Sequence, residues 1–436
     1  MSNLIVKPQL LKGFRDFFAE DIQIREFVIN TFKRVFEKYG YEPLETPALE
    51  YADIFEKESG EEAVKLFYKF KDEGGRDIML RYEVMIAMCR AVAENINTLV
   101  FPYKRYQIQP VWRAEKPQKG RYREFTQCDA DTIGSDSVLC DAEFIQMGIE
   151  ALRELGFDRF KANISNRKFL NGIILYSGAS NEQCIPICLS IDKLPKIGRD
   201  AVKKELLDKR KIPENVAEKI LDIVTKVGSI EELLTLFKKQ LTGIPVALEG
   251  LDELEQIFNY LKYVQLPKEN YTFAPYIARG LAYYTGPIWE FEILDGNVGS
   301  VSGSGRYDNT IGRFIGRRMP ATGGSFGIDR IVEVIKDRKM VKSSVTPIKV
   351  LLTLFDDKSL QSVLEITNFL RKNNVPTMLY PEAAKLDKQL KYADRKKIPY
   401  VVIVGPEEIK KKIVKLKNMK TGEQTELTLN ELVKKL

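Results

Sequence analysis

The chain has 436 residues, 44% of them hydrophobic, enough for about two to four domains with sizeable cores. Its 68 Lys+Arg against 61 Asp+Glu leave a formal charge of +7, which permits a polyanionic partner without demanding one. There is no histidine, so Ser-His and Cys-His nucleophile pairs are excluded and any chemistry must lean on positioning and electrostatics.

No window reaches the roughly 18 uninterrupted apolar residues of a membrane span, and Met1 to Gln9 lacks the apolar stretch of a secretory leader. A cytoplasmic protein is therefore expected. Five scattered cysteines, Cys89, Cys128, Cys140, Cys184 and Cys188, argue against a disulfide framework. The Cys184/Cys188 pair has no second ligand pair to complete a zinc site, so no metal-binding residues are assigned.

Lys12-Gly-Phe-Arg-Asp16 precedes an amphipathic helix from about Asp21 to Tyr39, which Gly40 stops before the extended Tyr41-Glu-Pro-Leu-Glu-Thr-Pro47. Residues 55–60 and 68–76 read as helix, strand and tight turn, and Leu80-Arg-Tyr-Glu83 leads into a helix over 86–95. Val100 to Gln109 is a strand entering a long antiparallel hairpin. One arm of this hairpin ends at Trp112-Arg-Ala-Glu115, the other is Glu124 to Asp131, and the Pro and Gly of Lys116-Pro-Gln-Lys-Gly120 make the turn. Side chains two apart in a strand share a face, so Arg113 and Glu115 project together, as do Phe125, Gln127, Asp129 and Asp131. Guanidinium forks beside an aromatic ring suit a nucleotide polyphosphate and a small polar substrate. A merely solvated hairpin has the same composition.

A helix running to about Leu155 and a short strand at Lys161 to Ser165 follow. From Arg167 to Leu241 the pattern is helical and Lys/Glu-rich, read as a small insertion. Ala278-Arg-Gly-Leu-Ala-Tyr-Tyr-Thr-Gly286 then precedes a strand at Pro287 to Ile293. After Thr346-Pro347 about 90 residues alternate strand and helix: strands at 348–355, 376–380, 400–405, 412–417 and 425–429, with helices ending at Lys372 and Lys397. Lys385, Lys388, Lys391 and Arg395 recur on one helix face and could meet RNA phosphates, or could simply be solvated.

The hairpin resembles motif 2 of class II aminoacyl-tRNA synthetases, and its run Lys-Gly-Arg-Tyr-Arg-Glu-Phe-x-Gln-Cys-Asp-x-Asp is similar to the histidyl form. Residues 41–47 resemble motif 1, residues 278–286 the histidyl-specific signature, Gly303-Ser-Gly-Arg-Tyr-Asp308 the family's glycine-rich turn, Gly323 to Arg330 motif 3, a strand-to-helix step, and Gln389-Leu-Lys-Tyr-Ala393 part of the class IIa anticodon-binding module. The resemblance implies an α+β fold: an antiparallel-sheet catalytic domain (1–166 and 243–340), a helical insertion (167–242) and an anticodon-binding-like α/β domain (346–436). It implies ATP-dependent activation of L-histidine with Mg²⁺ between the phosphates, transfer to tRNA(His), and a homodimer through motif 1.

By matched position Arg113 holds the α-phosphate, Glu115 the adenine amine, Arg121 and Arg330 the β/γ-phosphates, and Phe125 stacks on adenine. Glu83 and Gln127 receive the histidine backbone groups, Asp131, Tyr284 and Tyr307 the imidazole, and Arg279, catalytic with Arg113, neutralises the reacting carboxylate. The family usually has Thr where Met85 stands and Asp where Ala282 stands. The alternative is a non-catalytic paralogue serving as a regulatory subunit in histidine biosynthesis. Such paralogues typically lack the C-terminal module and erode residues like Arg279, both of which are present here.

Overall fold

The computed structural model describes residues 7–58, 61–118, 120–279, 283–296, 298–341 and 346–436. The chain divides into two compact units, Met1–Arg15 with Arg25–Met340, and Asp16–Ile24 with Val341–Leu436. Among the described residues no helix is long and apolar enough to cross a membrane.

The larger unit contains β1 (Glu42–Pro43), β2 (Leu49–Tyr51), β3 (Lys69–Lys71), β4 (Asp77–Leu80), β5 (Tyr103–Trp112), β6 (Glu124–Ile133), β7 (Phe160–Asn166), β8 (Tyr271–Phe273), β9 (Pro287–Ile293), β10 (Ser302–Arg306) and β11 (Ala321–Gly327). An eight-stranded sheet runs β1-β5-β6-β11-β10-β9-β7-β8, parallel only at its two edge pairs, and β2-β4-β3 form a small antiparallel sheet. The hairpin is the long arm of the large sheet, paired from Tyr103↔Ile133 to Trp112↔Glu124.

Period-two alternation gives this sheet one apolar and one polar face. Cys128 and Ala130 of β6 are fully buried on the apolar face, which two helices cover. From helix Ala19–Lys38, Phe32 packs on Phe326 at 4.7 Å and Phe36 on Tyr106 at 5.6 Å. From helix Leu139–Glu154, Phe144 packs on Trp289 at 5.5 Å and stacks on Phe326 at 5.9 Å. The first helix stops where the sequence places its stop. Gly40, at φ +78°, takes the left-handed position, and Tyr41 N–H donates to Phe36 O at 3.0 Å.

Between β7 and β8 the chain is helical, from Arg167–Tyr176 through to Pro245–Tyr263. It stays helical past Leu241 because Ala247, Leu251, Leu254, Phe258 and Leu261 recur at helical spacing and are buried.

The smaller unit contains β12 (Val350–Leu352), β13 (Thr377–Leu379), β14 (Tyr400–Ile403), β15 (Val414–Asn418) and β16 (Gln424–Leu427), ordered β13-β12-β14-β15-β16. Val350, Leu352 and Val402 pack on one face, and Leu351, Val401 and Ile403 on the other, so both faces are covered. Helices Leu360–Lys372 and Leu386–Arg395 match expectation, and two short ones, Pro406–Lys411 and Leu429–Lys435, were not foreseen. β12 is shorter than the expected 348–355 because a side chain claims the next backbone groups. Fully buried Gln389 accepts from Leu354 N–H at 2.9 Å and donates to Leu354 O and Ala384 O, each at 2.7 Å. Gln389→Leu would leave the buried Leu354 N–H without its acceptor and should cost about 1–3 kcal/mol. A lower denaturant midpoint is the expected readout, and an unchanged one would contradict this structural role.

Candidate active site

The register lays out the floor of a cavity on the polar face. Arg105 lies opposite Asp131 and Asp131 opposite Gly323; Gln107 opposite Asp129 and Asp129 opposite Ser325; Gln109 opposite Gln127 and Gln127 opposite Gly327. Gly305 and Gly303 of β10 continue the first two rows. Polar side chains rise from β5 and β6 while glycines keep the neighbouring floor open. A Cβ at Gly303 would collide with the Arg279 guanidinium, and one at Gly323 with the Asp131 carboxylate. The segment expected to be a glycine-rich turn is therefore a strand up to Arg306, paired on both sides, with its glycines serving clearance instead of turning.

Above this floor a cavity of about 670 Å³ takes in every side chain nominated from the sequence. The hairpin ladder ends at Trp112, so Arg113 and Glu115 lie just past the strand instead of on it, although Arg113 N–H still bonds Arg123 O at 2.9 Å. Arg113 Nε donates to Tyr82 O at 3.1 Å, and its guanidinium lies 4.4 Å from the Tyr82 ring and 5.0 Å from Phe125. Arg121 pairs with Glu115 at 2.7 Å, a contact between two groups nominated for different parts of a nucleotide. Arg330 donates to Ser300 O. Burial, then the charges of Arg121 and Arg279, push its pKa below the usual arginine value. Several guanidiniums thus converge on one cavity, and Arg330 carries its charge against burial and two neighbouring cations, an arrangement that an anion would relieve.

Arg279, at φ +54°, pairs with Glu290 of β9. Burial opposes its charge, but Tyr284 and Glu290 outweigh that and raise its pKa. Tyr284 and Tyr307 are buried, and the Tyr307 hydroxyl donates to Asp131. Gln127 accepts from Val84 N–H at 3.2 Å and donates to Ser325 Oγ at 3.3 Å. Glu83 sits at the N-terminus of helix Val84–Glu94 with its pKa raised by burial and pulled back by Arg113. Met85 lines the cavity and belongs to the apolar cluster that includes Phe55, Phe67 and Tyr307. Ala282 lies outside the described residues. Among the described residues no group of three or more His, Cys, Asp or Glu side chains could hold a metal ion.

Several contributors escaped sequence reasoning. Arg105 and Glu290 were detectable in principle by alternation, in Arg105-x-Gln107-x-Gln109 and Glu290-x-Glu292. Asp192 and Lys196, from the helical stretch, line the same cavity without any local signal. Asp329, next to Arg330, accepts from Thr126 N–H at 3.0 Å, Arg25 at 2.7 Å and Arg15 at 2.5 Å. Arg25 also donates to Thr126 Oγ1 at 2.8 Å. This network ties the start of β6 to the helix that carries Arg330, across a sequence gap that no local pattern bridges.

An arginine-lined cleft on an open antiparallel sheet, in place of a glycine-rich phosphate loop, is the architecture of class II aminoacyl-tRNA synthetases, and fold and cleft together put this chain in that class. Residues 13–331 match the family described as histidyl-tRNA synthetase, and residues 344–436 that described as anticodon binding domain. Curated relatives named histidine–tRNA ligase include one from Cytophaga hutchinsonii, 39% identical over 99% of both chains, and one from Clostridium tetani, 35% identical over 100% of this chain and 99% of the relative. A solved histidyl-tRNA synthetase from Nostoc sp. PCC 7120 superposes with a TM-score of 0.86 at 29% identity, covering 99% of this chain and 100% of that one. The chain belongs to the histidyl-tRNA synthetase family.

Asp329→Ala should destabilise the larger unit by about 1–3 kcal/mol, because it removes the acceptor of the buried Thr126 N–H and the carboxylate beside Arg25. Thermal melts of the purified variant check this, and an unshifted transition would contradict it.

Proposed function

We propose that the protein is a histidine–tRNA ligase. Histidine attacks ATP through its own carboxylate: an oxygen–phosphorus bond forms at the α-phosphate, the bond to the β-phosphate oxygen breaks, and pyrophosphate leaves. A terminal ribose hydroxyl of tRNA(His) then attacks the acyl carbon and expels AMP. The observation that carries this reading is the convergence of Arg113, Arg121, Arg279 and Arg330 on one cavity whose floor is lined by carboxylates and amides. The nucleophile in the first step is already ionised, so a chain without histidine lacks nothing that step needs.

In this reading Arg113 holds the α-phosphate, Arg121 and Arg330 the β- and γ-phosphates, Phe125 stacks on adenine, and Glu115 exchanges its Arg121 partner for the adenine amine. Glu83 and Gln127 take the histidine backbone groups, while Asp131, Tyr284 and Tyr307 read the imidazole. Arg279 neutralises the carboxylate and the charge that develops at phosphorus. Mg²⁺ would enter with ATP, held mainly by phosphate oxygens, because this ion needs only one or two protein carboxylates and Glu290 and Glu292 line the cavity. When bound it supplies neutralisation of phosphate charge.

Residues 1–166 and 243–340 form the catalytic domain in this proposal, 167–242 an insertion, and 346–436 the tRNA-reading domain, all in the cytoplasm. A homodimer is supported by exposed Leu49, Tyr51 and Phe70, 45%, 50% and 46% accessible, on one side of the β2-β4-β3 sheet. The regulatory-paralogue alternative is disfavoured by the retained Arg279 and by the match of residues 344–436 to an anticodon binding domain.

Arg279→Ala should lower the rate of histidine-dependent pyrophosphate exchange by about 10²–10³-fold with ATP binding retained, because a charge used mainly in the transition state shows in kcat. Equal loss of ATP affinity would contradict its role. Replacing exposed Lys385, Lys391 and Arg395 with Ala should weaken tRNA binding and flatten its dependence on salt by about 0.7–0.9 per lost phosphate contact. An unaltered salt slope would remove this helix from the tRNA interface.

A further inference from the structure

Two carboxylates, Asp129 and Asp131, rise side by side from the cavity floor, 5% and 3% exposed. Their surroundings differ. Asp131 pairs with fully buried Arg105, directly opposite on β5, and accepts the Tyr307 hydroxyl. Asp129 lies opposite Gln107, whose amide nitrogen is committed to Thr46 Oγ1 at 2.8 Å and Gln109 Oε1 at 2.6 Å. Among the described residues Asp129 Oδ1 and Gln107 Oε1 are buried acceptors without a hydrogen bond, and Arg105, whose nitrogens lack one as does Asp131 Oδ2, meets Asp131 as an ion pair. A proton on the Asp129 carboxyl would let it donate to an acceptor on the neighbouring strand, whereas the Gln107 oxygen cannot gain one.

We propose that the two acids are held in different protonation states: Arg105 keeps Asp131 ionised, while Asp129 stays protonated and donates to Gln107, so the imidazole meets one fixed carboxylate. Arg105 and Asp129 are then positioning residues. That the imidazole is the ligand rests on the function proposed above; the protonation pattern does not. The groups acting on Asp129 are Arg105 on β5, Asp131 on β6, Ser325 on β11, which hydrogen-bonds it, and Glu83 from the adjoining helix. Burial is the largest influence on both acids: it lifts the Asp129 pKa to about 7 and raises that of Asp131 too, which Arg105 and the Tyr307 hydroxyl pull back down. A neutral acid also spares the pocket from two adjacent buried negative charges.

The sign follows from proton uptake. Between the unfolded value near 4 and about 7, the folded state binds the extra proton, so the contribution of Asp129 to stability falls as pH rises through that window and levels off above it. Asp129→Asn imitates the protonated acid and removes this dependence. Thermal melts from pH 4.5 to 8 should show the variant gaining on the wild type up to about pH 7. Infrared spectra near pH 6 should lose a carboxylic-acid carbonyl band in the variant. Were Arg105 instead to bridge two ionised acids, the variant would lose stability at all these pH values and no band would disappear, which overturns the proposal. In exchange assays Arg105→Gln should raise the histidine KM at least tenfold with ATP KM unchanged, and Arg105→Lys should recover part of it. Unchanged histidine KM in Arg105→Gln overturns the assignment of Arg105. A wild type with no histidine-dependent exchange, yet with the expected melts and band, would overturn only the function.

Discussion

The register that joins β5, β6 and β11 is the constraint on which the rest depends. Because alternate side chains point to opposite faces, this register puts Cys128 and Ala130 against the covering helices and Gln127, Asp129 and Asp131 into the cavity. A slip by one residue would bury three polar side chains under Phe32 and Phe144 and expose the apolar ones. The apolar packing of one face therefore enforces the chemical layout of the other. Asp329 adds a second tie, fixing the end of the hairpin arm to the step that carries Arg330.

Electrostatics explains why such a site can do without a histidine. Arg330 carries its charge against burial and against Arg121 and Arg279, while Arg279 has Glu290 as its close partner. That strain is built into the fold before any ligand arrives, which is the condition for electrostatic preorganisation. The Glu115–Arg121 pair works in the opposite direction, each side chain neutralising the other.

Much of this was legible in the residues. The hairpin, the strand at Pro287–Ile293 and the alternating C-terminal unit follow from periodicity and turn chemistry, and the β11-to-helix step from the resemblance of Gly323 to Arg330 to motif 3. What stayed hidden is tertiary. Gly303 and Gly305 read as turn formers because sequence cannot show that Arg279 and Tyr284 occupy the space their side chains would fill. β12 ends early because Gln389, some 35 positions away, takes over its backbone partners. Arg105 looked like an ordinary strand residue, since neither its complete burial nor its partner across the hairpin has a local signature.

The chemistry proposed for this pocket requires that it select histidine for activation. Pyrophosphate exchange measured with each of the twenty amino acids in turn, on the intact chain with ATP and Mg²⁺, tests that selection. Exchange supported by histidine, with the others at background, is the predicted result; exchange with a different amino acid, or with none, would contradict it.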